Sequence, residues 1–284
     1  MSTSLTQSNF YKTYGSWALV TGASSGIGEQ FARLLAEQKF NLILVARREE
    51  LLAPLCEELQ KNCGVTVDII VADLSLAADV QKVTQAAKNK YVGLVVSNAG
   101  FGLKGGFTKD PLPTVLAMVQ LNAIAPLTLA YELLPALAQR VADWHGDEPK
   151  RAGFIFTGSM EGEAAFPWSS AYAASKAFVH SLGNGLWEEY RDKKVDVLVL
   201  APGSTDTNAP ISQGISRDQL VGLMSPREVA QQALTRLGKT PLWLTGMHNR
   251  IFVRLLRWLP RSWGIRIAGF GMKQAIQKSN SSLV

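Results

Sequence analysis

The chain has 284 residues, of which 47% are hydrophobic and 18% charged, and a formal net charge of +6. That is the balance of a soluble globular protein, long enough to bury a large core as one large domain or two small ones. Only two cysteines occur, Cys56 and Cys63. With no histidine beside them they make no metal spacing, and they fit buried or idle thiols in a reducing compartment. Met1 to Gly15 lacks a basic start followed by an apolar run, and no uninterrupted apolar stretch approaches the ~20 residues of a spanning helix, so a cytoplasmic location is expected.

In chain order, short apolar runs alternate with helical patterns. Trp17–Thr21 reads as a strand and Gly28–Gln38 as a helix with Phe31, Leu34 and Leu35 on one face. Leu42–Ala46 and Val67–Ala72 follow as strands, with helices over Glu49–Asn62 and Leu76–Lys88. Leu94–Ser97 is a fourth strand, and Pro113–Leu137 carries one long helical pattern. Phe154–Thr157, Val195–Leu200 and Leu242–Leu244 are further strands, separated by helices over Ser170–Arg191 and Pro226–Leu237. Ser225-Pro226-Arg227-Glu228 marks the start of the last helix as a capping box with Pro in its first turn. Asp143–Arg151 reads as a surface loop. Continuous apolar strands alternating with helices predict an α/β fold, a doubly wound parallel sheet with helices on both faces. The expected organisation is a single nucleotide-binding domain over residues 1–246 and a C-terminal extension over 247–284.

That extension is unlike the rest. No acidic residue follows Glu228, yet Arg236, Lys239, Arg250, Arg254, Arg257, Arg261, Arg266, Lys273 and Lys278 do. Apolar and basic residues alternate at helical spacing over Asn249–Lys273. The pattern suits either a helix packed on its own domain or a neighbouring subunit, or a peripheral contact with an anionic membrane surface. No nucleic-acid-binding motif is present.

The first strand runs into Thr21-Gly22-Ala23-Ser24-Ser25-Gly26-Ile27-Gly28, which opens the first helix. Gly22 permits a tight turn, Gly26 lets backbone approach a pyrophosphate, and Gly28 lets helix and sheet pack closely. The helix N-terminus offers free N–H groups to the phosphates, and Ser24 and Ser25 add hydroxyls. The second strand ends Val45-Ala46-Arg47-Arg48, with no carboxylate to bind a ribose diol. Arg47 can instead pair with the 2′-phosphate of NADP as a charge-assisted fork; Arg48 reads as a surface charge. Further on, Tyr172-Ala173-Ala174-Ser175-Lys176 places a phenol and an ammonium on one helix face. A nearby cation favours the phenolate, so Lys176, helped by a positively charged nicotinamide, is expected to lower the Tyr172 pKa.

These motifs, with Asn98-Ala99-Gly100, Asn122, Ser159 and Pro202-Gly203 in the same order, resemble the short-chain dehydrogenase/reductase family over roughly residues 16–245. More loosely, Phe40 to Arg47 looks like the ketoacyl- and hydroxysteroid-reductase-like branch. The resemblance implies a Rossmann-type fold and an NADP(H)-dependent oxidoreductase acting on a carbonyl or secondary alcohol. It implies that Tyr172 transfers the proton, Lys176 holds the nicotinamide ribose, Ser159 binds the substrate oxygen and Asn122 holds a water linking Lys176 to solvent. Asp73 and Leu74 would contact adenine, Asn98, Ala99 and Gly100 would line the cofactor cleft, and Pro202 and Gly203 would pass the nicotinamide amide. Ser204, Thr205 and Thr207 are alternative partners near that amide. Asp73 could equally be a helix cap, and Asn98 a brace of the sheet. Phe101, Met160, Phe166 and Trp168 are candidates for a pocket taking an apolar ketone, with Ser204–Leu223 as its lid. A homodimer or homotetramer is the expected assembly. A catalytically idle NADPH-binding sensor or scaffold is the alternative function, and an isomerase or dehydratase on the same fold a third.

Overall fold

In the computed structural model, residues 7–145, 151–207 and 222–281 are described. Seven strands form one parallel sheet: β1 (Trp17–Thr21), β2 (Asn41–Ala46), β3 (Val67–Val71), β4 (Leu94–Ser97), β5 (Ala152–Thr157), β6 (Val195–Ala201) and β7 (Leu242–Leu244). Their order is β3-β2-β1-β4-β5-β6-β7. The direction of winding reverses between β1 and β4, and a crevice opens there beyond the carboxyl ends of the strands, the general ligand site of such sheets.

Each strand feeds alternate side chains to opposite faces. Ala18 and Val20 of β1 join one core with Phe31, Leu35, Phe40, Val229 and Leu234. Leu19 between them joins the other, with Val83, Leu129, Leu133, Phe154 and Val179. Helices α2 (Gly26–Glu37), α3 (Glu49–Cys63) and α8 (Pro226–Arg236) cover the first face. Helices α4 (Ala77–Asn89), α6 (Ala125–Ala142) and α7 (Ser170–Glu189) cover the second. The expected capping box begins α8: Ser225 Oγ accepts from the Glu228 N–H at 3.2 Å, and Glu228 Oε2 accepts from the Ser225 N–H at 3.1 Å.

The long helical pattern after β4 is not one uniform helix. It divides into α5 (Leu112–Val119), a π-helical segment Gln120–Ile124, and α6. Such insertions in a helix are frequent at functional sites, and this one carries Asn122. By length and composition the run Leu112–Ala142 could cross a membrane, with a mean hydropathy of 1.5. The run is interrupted by Gln120, Asn122 and Glu132, and Leu129, Leu133 and Leu137 spend one face of it on the sheet.

A short helix α1 (Gln7–Tyr14), not expected from the sequence, precedes the sheet. Phe10 and Tyr14 pack in its core. The Tyr14 hydroxyl donates to Asp196 Oδ2 at 2.7 Å, and Arg151 Nε donates to the same oxygen at 2.7 Å. Asp196 is buried in β6, so removing its carboxylate strands a buried phenol and a guanidinium. Asp196→Ala is expected to cost roughly 2–4 kcal/mol. The check is a fall in the urea midpoint without a change in slope.

The C-terminal segment is also two helices, α9 (Met247–Trp258) and α10 (Arg261–Ser281), rather than one continuous pattern. Leu259 has extended backbone and Pro260 follows, which ends α9. Val253 and Leu256 of α9 and Ala268 of α10 are buried against residues of the preceding fold.

Candidate active site

The loop from β1 to α2 takes the shape its glycines allow. Gly22 and Gly26 have φ of +66° and +60°, a region side chains disfavour. A Cβ on Gly28 would lie 2.1 Å from the Gly22 carbonyl oxygen, so this glycine serves the close packing of helix on strand. Asn98 braces the loop: its Nδ2 donates to the Thr21 carbonyl at 3.2 Å. The N–H groups of Asn98 and Ala99 reach Thr21 Oγ1 at 2.9 and 3.1 Å. No side chain caps the first turn of α2, which leaves its N–H groups for an anion.

At the end of β2 both arginines line the same cavity. Arg48, read from the sequence as a surface charge, donates from Nη2 to Ser24 Oγ at 3.0 Å and Ser25 Oγ at 3.3 Å. It is therefore fixed across the phosphate loop. Arg47 is also exposed, and its Nη1 stands 3.8 Å from Asp73 Oδ2. Asp73 also accepts from the Ser75 N–H and hydroxyl at 3.0 and 2.7 Å, closing the turn before α4.

The catalytic candidates converge. Tyr172 and Lys176 lie one turn apart on α7, and Ser159, beyond β5, lines the same cavity near enough to favour the Tyr172 phenolate. Lys176 Nζ lies 5.8 Å from the Tyr172 ring centre and donates to the Thr157 carbonyl at 2.9 Å. Asn122, in the π segment, clasps the Phe101 peptide from both sides: Nδ2 donates to its carbonyl at 2.8 Å, and Oδ1 accepts its N–H at 3.1 Å. A Cβ on Gly100 would meet both Asn122 Oδ1, at 2.7 Å, and Lys176 Nζ, at 3.3 Å. Only glycine leaves that junction open.

The electrostatics correct one expectation. Burial pushes the Tyr172 phenol above its ordinary value, the Glu161 carboxylate adds to this, and the Ser159 hydrogen bond offsets only part. Lys176 does not bring it down, because burial holds its own pKa down to about 8. For both groups desolvation is the leading influence, and it outweighs their mutual effect.

Two charged groupings beside the site were missed in the sequence. Lys104, which follows the Asn98-Ala99-Gly100 run, is buried and paired with Glu161. Its Nζ donates to Ser169 Oγ at 3.1 Å and stands 5.1 Å from the Tyr172 ring centre. Behind Ser159, His180 Nε2 accepts the Ser159 N–H at 3.3 Å and Nδ1 meets Glu163 Oε1 at 2.7 Å. This pattern assigns the proton to Nδ1. Arg257, from α9, donates to the other Glu163 oxygen at 2.7 Å. Burial alone would raise the Glu163 pKa, but His180 and Arg257 hold it below its ordinary value. The available signals were a charged residue between Ser159 and Tyr172, and a histidine in register with Tyr172 and Lys176.

These residues surround one cavity of about 870 Å³. Of the residues singled out in the sequence, Gly22, Ser24, Ser25, Gly26, Ile27, Arg47, Asp73, Leu74, Asn98, Ala99 and Gly100 line it. So do Ser159, Tyr172, Lys176, Pro202, Gly203, Thr205 and Thr207. Gly28 and Asn122 lie behind the lining. A Cβ on Gly26 would lie 3.0 Å from Thr207 Cγ2, so the strand-end loop after β6 closes on the phosphate loop. Phe101, Met160 and Phe166 line the cavity as expected, but Trp168 does not. It has φ +67° and lies with its ring under Lys273 Nζ, partly exposed. The expected lid over 204–223 falls mostly on 208–221, outside the described residues. Among the described residues, Phe252, Ile267, Phe270 and Met272 of the C-terminal helices also line the cavity.

The short chain dehydrogenase family model matches residues 16–217. The chain is 29% identical over 244 residues to a 7beta-hydroxysteroid dehydrogenase of Mediterraneibacter gnavus, spanning 84% of this chain and 89% of that one. It is 28% identical over 277 residues to a human protein called inactive hydroxysteroid dehydrogenase-like protein 1, spanning 94% of this chain and 80% of that one. A short-chain dehydrogenase from Sphingobium yanoikuyae, solved in complex with NADPH, superposes with a TM-score of 0.72 at 27% identity, covering 87% of this chain and 97% of that one.

Proposed function

The chain belongs to the short-chain dehydrogenase family, and from that premise we propose that it is an NADP(H)-dependent oxidoreductase interconverting a carbonyl and a secondary alcohol on a lipophilic substrate. The observation that carries this reading is the convergence of Tyr172, Ser159 and Lys176 on one cavity shared with the glycine loop. The residues present fit the cofactor. The loop offers a bare backbone cradle and uncapped N–H groups for a pyrophosphate. Arg47 and Arg48, with Ala46 where an acid would favour NAD, suit a 2′-phosphate. When bound, NADPH supplies the hydride.

The chain's own residues supply the rest. A phenol held above its ordinary pKa keeps its proton through neutral pH, so Tyr172 is set to donate to a carbonyl oxygen that is gaining negative charge. Ser159 hydrogen-bonds at the same position and helps orient that oxygen. Lys176 adds positive charge while protonated, and Asn122 fixes the Phe101 backbone and the junction at Gly100. Phe101, Met160, Phe166 and the α9–α10 side chains make the substrate end apolar, in keeping with the hydroxysteroid substrate named for the bacterial relative. Lys104 and Glu161 give that end one polar spot.

The test follows NADPH absorbance with a panel of ketones. Turnover is expected with steroid and other lipophilic ketones, steady through neutral pH and falling as pH rises through about 8, where Lys176 loses its charge. Turnover restricted to small charged ketones refutes the substrate class, and a preference for NADH refutes the cofactor assignment. NADPH binding without turnover of any ketone favours the idle sensor reading. The complete set of Tyr172, Lys176, Ser159 and Asn122 in place supports turnover.

A further inference from the structure

The basic C-terminal helices bury one face and leave another bare. On α9, Asn249, Val253 and Leu256 turn inward. Met247, Ile251, Leu255 and Trp258 recur at helical spacing on the opposite face and are all exposed, Trp258 at 83%. On α10, Trp263, Ile267 and Phe270 repeat the pattern, with Phe270 at 67%. Beside these apolar stripes Arg254, Arg261 and Arg266 are exposed. Soluble monomers seldom present so many large side chains together without a partner.

Charge identifies the partner. Residues 1–228 carry all 23 acidic residues against 20 of the 29 Lys and Arg, whereas the remaining segment has nine basic residues and no acid. A two-fold contact between copies through this face would set arginines against arginines, since an isologous interface meets itself. An anionic surface that also accepts apolar side chains meets both demands at once, and a bilayer of acidic lipid is such a surface. Position adds a third argument. Ile267 and Phe270 are exposed and also line the cavity, so the apolar stripe runs up to the edge of the substrate pocket.

We propose that α9 and α10 form a docking surface for an anionic lipid bilayer, seated so that the cavity mouth faces the lipid. Docking stands on the surface alone; delivery of a lipophilic ketone from the bilayer to the pocket rests on the function proposed above. The experiment is co-sedimentation of the full chain with phosphatidylcholine vesicles, with and without phosphatidylserine, at low and high salt. Binding is expected to the phosphatidylserine vesicles at low salt, and roughly tenfold less to phosphatidylcholine or at high salt. Arg254→Glu/Arg261→Glu should lower binding at least tenfold, and Leu255→Ser/Trp258→Ser should abolish it; all four side chains are exposed, apart from the core and the catalytic groups. NADPH turnover of a water-soluble ketone, read separately, should be unchanged in both variants, so that a failed reductase and a failed docking surface are told apart. No sedimentation of the wild type at low salt overturns the proposal. So does a solution dimer by light scattering that Leu255→Ser/Trp258→Ser converts to monomer, which would make this face a contact between copies.

Discussion

Replacing Tyr172 by phenylalanine is expected to lower kcat for ketone reduction by ~10²–10⁴-fold while NADPH still binds. The substitution removes one oxygen and keeps the ring, so packing on α7 and against Ser159 changes little. What disappears is the proton donor. Burial and Glu161 keep that donor protonated, and water admitted to the site lacks its fixed position. Steady-state kinetics beside a fluorescence titration of NADPH make the check. A variant within a few-fold of wild type would assign the proton to another group, with Lys176, buried and brought down to about 8, next to be tested.

The second large effect is expected at the end of β2. Arg47→Ala/Arg48→Ala should reduce kcat/KM for NADPH by about 10²-fold or more, because hydrogen bonds to charged groups contribute roughly 1.5–3 kcal/mol each, while values for NADH move only a few-fold. Arg48→Ala alone should account for the greater share, since Arg48 is already held by Ser24 and Ser25 and loses less freedom on binding. Arg47 is tethered only to Asp73, at 3.8 Å. Equal losses with both nucleotides would show that the arginines serve the loop and not the 2′-phosphate.

Much of this was legible in the residues because it follows from local rules. Apolar runs bounded by turns gave each strand, and glycine spacing gave the phosphate loop, whose positive φ values are the reason for its glycines. Tyr172 and Lys176 share a face by helical period alone. What escaped the sequence depends on distant partners. Arg47 and Arg48 look equivalent in a string, and only the fold decides which of them reaches Ser24. Lys104 and Glu161 are 57 positions apart, brought together where the β4 and β5 loops meet. The Tyr172 pKa was expected to fall because a neighbouring cation was visible and burial was not. The π segment at Asn122 gives no periodic signal, since one extra residue in a turn barely disturbs an apolar pattern.

The link from Arg257 through Glu163 and His180 to the Ser159 backbone has a bearing on how the chain can be divided. A boundary after residue 246 looks natural from the sequence, since the last strand pattern ends just before it. Yet a fragment ending at that point would keep Glu163 while discarding the guanidinium that neutralises it, and the imidazole holding up the serine would face an unbalanced anion. The same cut would strip Phe252 and Ile267 from the lining of the cavity that Tyr172 shares. A segment that reads as an extension on paper thus supplies part of the cavity's lining and a charged contact behind Ser159.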